Sequence, residues 1–382
     1  MCGIAGFCGK EVCPETGKER WIQILEKMNQ VQKRRGPDDE GTYLTRGCGL
    51  AHVRLSIIDL AGGHQPMIKK QGNRECAIVF NGEIYNMNPL RKELEKEGAV
   101  FVTASDTEVL LNGFFLHGWQ YVKKLNGIFA IAFWDGKEKT LTLFRDRLGV
   151  KPLFYTKAGE TLVFASELKG LFAYPETEAV LDREGLCEIF ALGPAKTCGS
   201  GVFKGMKEVL PGHFLQIRGE DIKEIPYWKL KSIPHEDCFE KTVEKTAFLV
   251  EDAVKMQMLS DIPISTFLSG GVDSSLVTAI CARELKKQGK VLNTFSFDFE
   301  GNQKYFRANG FQPSQDRPWV EEMVKYTGTN HRYLECDNRK LADALYQAVD
   351  ARDLPCMADV ESSMLYFCSR VVDYNKVTLT GE

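Results

Sequence analysis

Cys2 is the residue of this chain whose type and position could most directly do chemistry. A small residue at position 2 allows removal of the initiator Met1, which leaves Cys2 with a free α-amino group. A thiol at neutral pH is only a few per cent thiolate and needs a nearby base. An unperturbed α-amino group titrates near roughly 7.7–8.0, so part of it is neutral at physiological pH. Cys2 would then hold both a nucleophile and its base; an ordinary cysteine at an unprocessed start is the alternative.

Further polar motifs follow Cys2 along the first part of the chain. They are Arg-Gly-Pro-Asp at 35–38, Arg-Leu-Ser-Ile-Ile at 54–58, Asn-Gly-Glu-Ile-Tyr-Asn at 81–86 and Ser-Asp-Thr-Glu at 105–108. In order and spacing, these motifs and Cys2 resemble the glutaminase domain of class II glutamine amidotransferases. Those domains are N-terminal-nucleophile hydrolases that take ammonia from glutamine. The resemblance implies an α+β fold, a four-layer αββα sandwich.

The same resemblance implies a role for each matching residue. Cys2 would attack the side-chain amide carbon of glutamine, and the Asn81 side chain with the Gly82 N–H would form the oxyanion hole. Asn-Gly is also the dipeptide that a tight turn prefers. Arg54 would bind the substrate α-carboxylate, to which its forked guanidinium is suited. Glu83 and Asp106 would hold the α-ammonium group. The expected glutamine-binding residues are Arg54, Leu55, Ser56, Ile57, Ile58, Asn81, Gly82, Glu83 and Asp106.

A second motif, Ser-Gly-Gly-Val-Asp-Ser-Ser at 269–275, lies between a predicted buried strand and a predicted helix at 276–287. A glycine-rich turn that opens a helix directs backbone N–H groups and the positive end of the helix dipole at an anion. Asp273 can hold Mg²⁺ on bound phosphates. The motif lacks the lysine of a P-loop, and such a turn taken alone is often only a turn.

This motif resembles the pyrophosphate loop of the ATP pyrophosphatase superfamily, whose members cleave ATP between the α and β phosphates. Together the two halves resemble glutamine-hydrolysing asparagine synthetases. The resemblance implies a ligase that uses ATP and Mg²⁺ and passes ammonia from glutamine to an aspartyl adenylate. The products would be asparagine, AMP and pyrophosphate. The expected contacts of ATP are Leu268, Ser269, Gly270, Gly271, Asp273, Ser274, Phe297, Thr380 and Gly381, with Asp273 as the metal ligand and Glu382 in adenylate formation.

The acceptor of the ammonia is less closely specified than its donor. The segment 301–319 is longer than in the enterobacterial-type enzyme, and Asp359 stands where that enzyme has an arginine thought to bind phosphate. Another carboxylate, such as a cell-wall precursor, is therefore an alternative to aspartate. A non-catalytic regulatory or storage relative is a further alternative, and so is a glutaminase without synthetase function. The chain also stops before the family's second metal-binding aspartate, so a truncated, inactive synthetase half is expected.

Two more segments, 144–155 and 165–170, match the same family. They are expected on the side of the glutaminase domain that faces the synthetase domain. Their alternative interpretation is structural, with an Arg145–Asp146 ion pair and a packed strand.

Hydrophobic periodicity indicates the elements that must position these motifs. Helices are predicted at 21–32, 88–97, 106–117 and 238–259, with Asn88 and Ser105 or Asp106 as N-caps. Strands are predicted at 49–59, 76–85, 127–135, 140–145, 161–165 and 263–268. The strand–turn–helix order after residue 263 favours a parallel α/β sheet, of the adenine-nucleotide α-hydrolase type that the resemblance implies. We predict a glutaminase domain at 2–218, a linker at 219–237 and an incomplete ATP-binding domain at 238–382.

Composition excludes several classes of function. A hydrophobic content of 43% and a charged content of 26% are typical of a globular protein. The net charge of −3 argues against non-specific nucleic-acid binding. No apolar run is long enough to span a membrane. The 12 cysteines are scattered without metal-binding spacing, which favours reduced thiols and a cytoplasmic location. The sequence is also compatible with a homodimer.

Overall fold

The computed structural model describes residues 1–310, 313–355 and 357–381 of the chain. The chain folds into two compact units, Met1–Ser232 and Ile233–Glu382. Within the described ranges, no helix is both long and apolar enough to cross a bilayer.

The first unit is built mainly of strands. They are β1 (Gly3–Cys8), β2 (Asp39–Thr45), β3 (Cys48–Arg54), β4 (Met67–Gln71), β5 (Arg74–Ile84), β6 (Gly127–Asp135), β7 (Thr140–Arg145), β8 (Phe154–Ala158), β9 (Thr161–Ala165), β10 (Lys207–Glu208), β11 (His213–Arg218) and β12 (Asp221–Pro226). The helices are α1 (Pro14–Val31), α2 (Met87–Lys96), α3 (Asp106–His117), α4 (Leu168–Phe172) and α5 (Arg183–Cys187), with short 3₁₀ turns at Lys33–Arg35 and Gly118–Lys124 and a π turn at Glu188–Leu192.

These strands form two six-stranded sheets in the orders β10-β8-β9-β1-β3-β2 and β12-β11-β7-β6-β5-β4. Apolar side chains of both sheets, among them Leu50, Val79, Leu143 and Phe164, form one buried core. Helices α1 and α4 pack against the first sheet, and α3 packs against the second sheet and α2. The predicted αββα sandwich is therefore confirmed.

The second unit contains a four-stranded sheet in the order β15-β14-β13-β16, in which every adjacent pair is parallel. Its strands are β13 (Ile264–Phe267), β14 (Asn293–Phe299), β15 (Asn330–Cys336) and β16 (Val377–Leu379). Its helices are α6 (Phe239–Gln257), α7 (Val272–Lys287), α8 (Asn302–Tyr305), α9 (Arg317–Thr327), α10 (Asn338–Arg352) and α11 (Ala358–Val371). The predicted parallel α/β sheet is thus confirmed.

Local chemistry explains where several elements begin and end. Strands β6, β7 and β9 and helix α3 have the predicted bounds. Ser105 is the N-cap of α3, because its side chain accepts the Thr107 N–H, and Asp106 follows as the first helical residue. Acidic residues in that first turn complement the helix dipole.

Other boundaries differ from those predicted. Helix α2 begins at Met87 after Asn86, so the N-cap prediction for Asn88 is wrong. Helix α1 begins seven residues before Trp21, because its first turns are polar and carry no hydrophobic period. The strand predicted at 49–59 ends at Arg54, where the chain turns into a loop. Part of the segment predicted as a linker, Asp221–Pro226, is a strand that pairs along its whole length with β11.

Candidate active site

Cys2 lies directly before β1, an inner strand of the first sheet. The Leu55 N–H donates to the Cys2 Sγ at 3.4 Å, and the thiol lies 3.7 Å from the Leu55 carbonyl oxygen. The Arg35 Nε donates to the Cys2 carbonyl oxygen at 2.8 Å, and Glu167 holds the same guanidinium at 2.8 Å. Burial raises the pKa of the Cys2 thiol, against the opposing effects of the Leu55 N–H and the amino terminus. The thiol therefore needs a base before it can attack a substrate.

The sequence motif at residues 35–38 positions Cys2 through Arg35, a role that the sequence did not assign. Glu167 comes from the second family-matching segment, 165–170, and its ion pair with Arg35 is mostly shielded from solvent. The two motifs are 132 residues apart in sequence, so only the fold could reveal that they act together.

Asn81 is on β5, and its side chain is buried, with 1% of the residue exposed. The Asn81 Nδ2 has no hydrogen-bond partner among the described residues. A buried amide donor without a partner costs free energy, typically about 1–3 kcal/mol. Such a donor is available to a developing negative charge on a bound substrate. Since Asn81 lies within a strand, the alternative role of Asn-Gly as a turn dipeptide is wrong.

The backbone N–H of Gly82 also points to the open side of β5. Along an antiparallel strand, alternate residues direct their N–H groups to the same side. Phe80 donates its N–H to the side chain of Gln65 at 2.7 Å, and Ile84 donates its N–H to Asp106 at 3.4 Å. Gly82 lies between Phe80 and Ile84 and shares their direction, away from β6. A side chain at this position would lie 2.1 Å from the Ile128 carbonyl oxygen, so only glycine fits.

Two carboxylates, Glu83 and Asp106, lie close enough to interact electrostatically. Asp106 is buried, and its burial raises its pKa even though several N–H groups donate to it. Burial and the negative charge of Asp106 raise the pKa of Glu83. A buried carboxylate beside a half-buried one favours a cation between them. The pair has the charge that a substrate ammonium group requires.

We expect Glu83→Gln to gain stability relative to the wild type as the pH rises. The folded chain binds the Glu83 proton more tightly than the unfolded chain does. The contribution of Glu83 to stability is therefore largest below the ordinary glutamate pKa and is lost as the pH rises through the raised value. Melting temperatures measured from about pH 5 to about pH 8.5 should show the variant gaining a few degrees on the wild type. Glu178→Gln, at an exposed position, is the control. A difference that does not change with pH would contradict the assignment.

Arg54 ends β3 and is buried within its own loop. Its guanidinium donates to the carbonyl oxygens of Ile58 at 3.0 Å, Asp59 at 2.6 Å and Leu60 at 3.2 Å. A side chain on Gly63 would lie 2.1 Å from the Arg54 Nη2, so the loop can close around the guanidinium only with glycine there. These bonds leave two of the five N–H groups of Arg54 for another partner. In this structure Arg54 shapes the loop, and its contact with a substrate carboxylate stays a prediction.

The remaining predicted residues of this region, Leu55, Ser56, Ile57 and Ile58, form the irregular start of that loop and are half-buried. Ser56 is anchored there, since its N–H donates to Asp38 at 2.9 Å. The loop thus joins the motifs at 35–38 and 54–58 around Cys2.

The segment 144–155 does not form the ion pair that its structural interpretation predicted. Arg145 pairs with Glu208 at 2.9 Å, so the expected Arg145–Asp146 ion pair is wrong. Asp146 instead accepts backbone N–H groups of its own loop and of Phe129. This loop carries Lys151, a buried lysine near Cys2 that the sequence analysis did not single out.

In the second unit, the predicted nucleotide residues meet at the carboxyl ends of the parallel strands. Ligands of open α/β sheets bind in the crevice outside the carboxyl ends of the strands. A cavity of about 440 Å³ opens there, within the range of small-molecule sites. The predicted residues that line it are Leu268, Ser269, Gly271, Asp273, Ser274, Phe297, Thr380 and Gly381. Glu382 lies outside the described residues, as do Phe311 and Gln312 of the long segment; the side chain of Asp359 is also not described.

The loop between β13 and α7 is fixed by its own hydroxyl groups. The Ser269 N–H donates to the Ser274 Oγ at 3.2 Å, and the two hydroxyl oxygens are 3.0 Å apart. The Ser274 hydroxyl in turn donates to the Gly271 carbonyl oxygen at 3.2 Å. Gly271 is the N-cap of α7, so the N–H groups of the first helical turn have no partner within the helix. They are directed at the cavity, where an anion would bind.

Gly270 allows this loop to pack against α9. Its φ of +82° is in the left-handed region, and a side chain there would lie 2.7 Å from the Trp319 Cβ. We expect Gly270→Ala to destabilise the second unit by roughly 2–4 kcal/mol, from backbone strain and overpacking. Gly289→Ala is a matched control, because Gly289 has a φ of +70° with no atom within 4 Å. Urea unfolding should show a clearly smaller loss for the control, and equal losses would contradict the packing argument.

The Asp273 carboxylate is suited to bind Mg²⁺ together with the phosphates of a bound nucleotide. It is an exposed carboxylate in the first turn of α7 and lines the cavity. Over residues 1–310, 313–355 and 357–381, no group of three or more His, Cys, Asp or Glu side chains could hold a metal ion. Mg²⁺ is commonly bound by one or two carboxylates plus substrate phosphates rather than by an all-protein cage. The donor set at this edge suits that arrangement.

One charged group at the cavity was missed by the sequence analysis. Arg317 pairs with Asp298 at 3.0 Å and Glu335 at 2.8 Å, and its guanidinium lies 4.1 Å from the Tyr333 ring centre. Asp298 also accepts a hydrogen bond from the Asn302 side chain at 2.8 Å. Through these contacts Arg317 joins the ends of β14 and β15 to α9, and it thereby fixes one wall of the cavity. No short motif marks it, because its members lie far apart in sequence.

Comparison with known proteins agrees with this division of the chain. The model of a glutamine amidotransferase domain matches residues 1–228, and the model of asparagine synthase matches residues 245–382. The chain is 44% identical to asparagine synthetase [glutamine-hydrolyzing] 3 of Bacillus subtilis, over 100% of this chain and 62% of that protein. It is 36% identical to putative asparagine synthetase [glutamine-hydrolyzing] 2 of Methanocaldococcus jannaschii, over 87% of this chain and 64% of that protein.

A third relative has a different name. Amidase chyE of Penicillium rubens is 31% identical over 100% of this chain and 58% of its own length. The chain thus spans about three fifths of the curated relatives it matches. Taken with the site at Cys2 and the loop at 269–275, the matches show that this chain belongs to the glutamine amidotransferase family and is related to the glutamine-hydrolysing asparagine synthetases.

Proposed function

We propose that this chain is part of a glutamine-hydrolysing asparagine synthetase, in which ammonia released from glutamine is transferred to an adenylated aspartate. The observation that carries the proposal is the presence of two different sites on one chain. The first unit holds Cys2 with an unpartnered amide donor at Asn81. The second unit holds a lysine-free Ser/Gly loop at the N-terminus of α7, beside a cavity of suitable size.

In the glutaminase step, Cys2 attacks the side-chain amide carbon of glutamine after Met1 has been removed. Its α-amino group takes the thiol proton and returns it to the departing ammonia. The Asn81 Nδ2 and the Gly82 N–H stabilise the oxyanion of the tetrahedral intermediate. The resulting thioester is hydrolysed by water, which releases glutamate and restores the thiol. The unpartnered state of the Asn81 amide supports this role.

Substrate recognition in this step is electrostatic. Glu83 and Asp106 hold the α-ammonium group of glutamine, whose positive charge stabilises two carboxylates that burial otherwise disfavours. Arg54 takes the α-carboxylate through its two remaining N–H groups, and the half-buried residues 55–58 form the wall of the site.

In the synthetase step, the loop at 269–274 and the first turn of α7 hold the β and γ phosphates of ATP. Asp273 would hold Mg²⁺, which neutralises phosphate charge when bound. Leu268, Phe297, Thr380 and Gly381 line the remainder of the nucleotide site, and Glu382 serves adenylate formation. The absence of a P-loop lysine from this loop supports pyrophosphate as the leaving group.

We propose a glutaminase domain and an ATP-binding domain divided close to the predicted linker at 219–237. Strand β12 belongs to the glutaminase sheet, so the connection is best placed after Pro226. The proposed substrates are glutamine, aspartate and ATP. A different carboxylate acceptor is the second candidate, favoured by the long segment at 301–319 and by the similarity to a protein named as an amidase.

Product analysis tests the synthetase proposal. The whole natural protein that contains this chain is incubated with glutamine, ATP, Mg²⁺ and aspartate, and the nucleotide products are separated. We expect AMP and pyrophosphate in amounts equal to asparagine. ADP and phosphate would contradict adenylate formation. AMP that forms only with another carboxylate would replace the acceptor but keep the reaction class.

A further inference from the structure

Lys151 is a buried lysine whose charge has no obvious structural use. Only 6% of the residue is exposed, and its Nζ lies 2.9 Å from the Met1 Sδ. Among the described residues, no carboxylate forms an ion pair with this ammonium group. A buried cation without an ion-pair partner costs several kcal/mol, so its retention in a folded chain calls for another explanation.

The backbone of Lys151 is held rigidly from both sides. Its N–H donates to Asp146 Oδ2 at 2.9 Å, and its carbonyl oxygen accepts the Arg145 Nε at 3.1 Å. Arg145 also donates to the Gly149 carbonyl oxygen at 2.8 Å, and the Val150 N–H donates to Asp146 Oδ1 at 3.0 Å. These hydrogen bonds restrain the loop and thereby the direction in which the Lys151 side chain leaves it.

The same loop is attached to the strand that supports the oxyanion site. Asp146 Oδ2 accepts the Phe129 N–H at 3.2 Å, and Phe129 pairs with Gly82 across β5 and β6. The loop, β6 and β5 thus place Lys151 and Gly82 in one hydrogen-bonded framework. From this framework the Lys151 ammonium group contacts Met1, the residue directly before Cys2, and it interacts electrostatically with Cys2.

We propose that Lys151 is a positioning residue for glutamine hydrolysis, whose buried ammonium group keeps the Cys2 amino group neutral and favours the Cys2 thiolate. The inference rests on the proposed function, because it assumes that Cys2 is the nucleophile. A nearby cation disfavours a second ammonium and stabilises an anion. Both effects prepare Cys2 for attack, so a single charge serves the base and the nucleophile together.

Electrostatics around the amino terminus agree with this geometry. The pKa of the Met1 amino group is lowered to about 6, chiefly by burial and also by the charges of Arg35 and Lys151, against the opposing effects of Cys2 and Glu83. Burial and Arg35 also lower the pKa of Lys151, whereas Glu83, Cys2 and Asp146 raise it. The charged and titratable groups that face this cluster are Met1 and Cys2 before β1, Arg35 from the 3₁₀ turn, Glu83 from β5, Asp106 from α3 and Asp146 from the loop after β7.

The pH dependence of glutamine hydrolysis tests the proposal. In Lys151→Met the aliphatic stem is kept and the charge is removed, so the pKa values of the Cys2 amine and thiol should rise. We expect the acid limb of the kcat/KM profile to move up by roughly one pH unit. Lys151→Gln should behave in the same way, and Lys151→Arg should restore the wild-type limb. Lys157→Met, at an exposed position of β8, is the matched control and should not move it.

A second measurement keeps the test independent of turnover. The rate at which iodoacetamide alkylates Cys2, followed by mass spectrometry against pH, should shift in the same direction in both neutral variants. An acid limb that stays in place in both neutral variants overturns the proposal, even if their activity falls at every pH. Failure of the proposed function has a different signature: the wild type releases no glutamate, or Cys2→Ala hydrolyses glutamine normally.

Discussion

Cys2→Ala should lose glutamine hydrolysis entirely, with glutamate release falling by roughly 10⁴-fold or more. The thiol supplies the bond to the substrate, and its amino group supplies the base, so no neighbouring residue can replace it. Burial raises the pKa of this thiol, which makes attack dependent on the base rather than on a resident thiolate. The assay is glutamate release by the purified chain, with the mass of the sample measured to establish whether Met1 is present.

Cys13→Ala is the matched control for this prediction, because Cys13 is also a free, partly exposed cysteine near the amino terminus. It should keep wild-type activity. Both variants should melt close to the wild type, since neither side chain belongs to the core between the two sheets. Normal hydrolysis by Cys2→Ala would refute the nucleophile assignment. Full activity in a sample that uniformly retains Met1 would refute the use of a free α-amino group.

Asn81→Ala should lower kcat for glutamine hydrolysis by about 10²–10³-fold and leave KM nearly unchanged. The Asn81 Nδ2 has no partner among the described residues, so its hydrogen bond is made only when a substrate oxygen arrives. Interactions that strengthen in the transition state change kcat, whereas uniform binding changes KM. Steady-state kinetics with glutamine separate the two cases.

The free energy of unfolding of Asn81→Ala is a second, independent measurement. Because the Nδ2 makes no hydrogen bond to any residue that the structure describes, its removal should change the free energy of unfolding by only about 1 kcal/mol. Asn88→Ala, at an exposed position of α2, is the control and should keep wild-type kinetics. A rise in KM alone would place Asn81 in substrate binding. A large loss of stability with normal kcat would make it a structural residue of β5.

Motif order and spacing were sufficient to predict the families that this chain resembles. Cys2 with the motifs at 35–38, 54–58, 81–86 and 105–108 indicated an amidotransferase, and the motif at 269–275 indicated a nucleotide site. Comparison then matched residues 1–228 to a glutamine amidotransferase domain and residues 245–382 to asparagine synthase. The local elements around these motifs were also predictable where a strong hydrophobic period coincides with a turn or a cap, as at β6 and α3.

Only the tertiary structure decided which groups act on each other. Arg35 and Glu167 meet across 132 residues, and Arg145 pairs with Glu208 rather than with its neighbour Asp146. Burial depends on packing between sheets, so the missing partner of the Asn81 amide could not be read from sequence. The same holds for Lys151, which looks like any surface lysine in the printed chain. Spacing along a sequence determines which residues share a strand or turn, but the desolvation and charge that set their chemistry arise only where distant segments pack together.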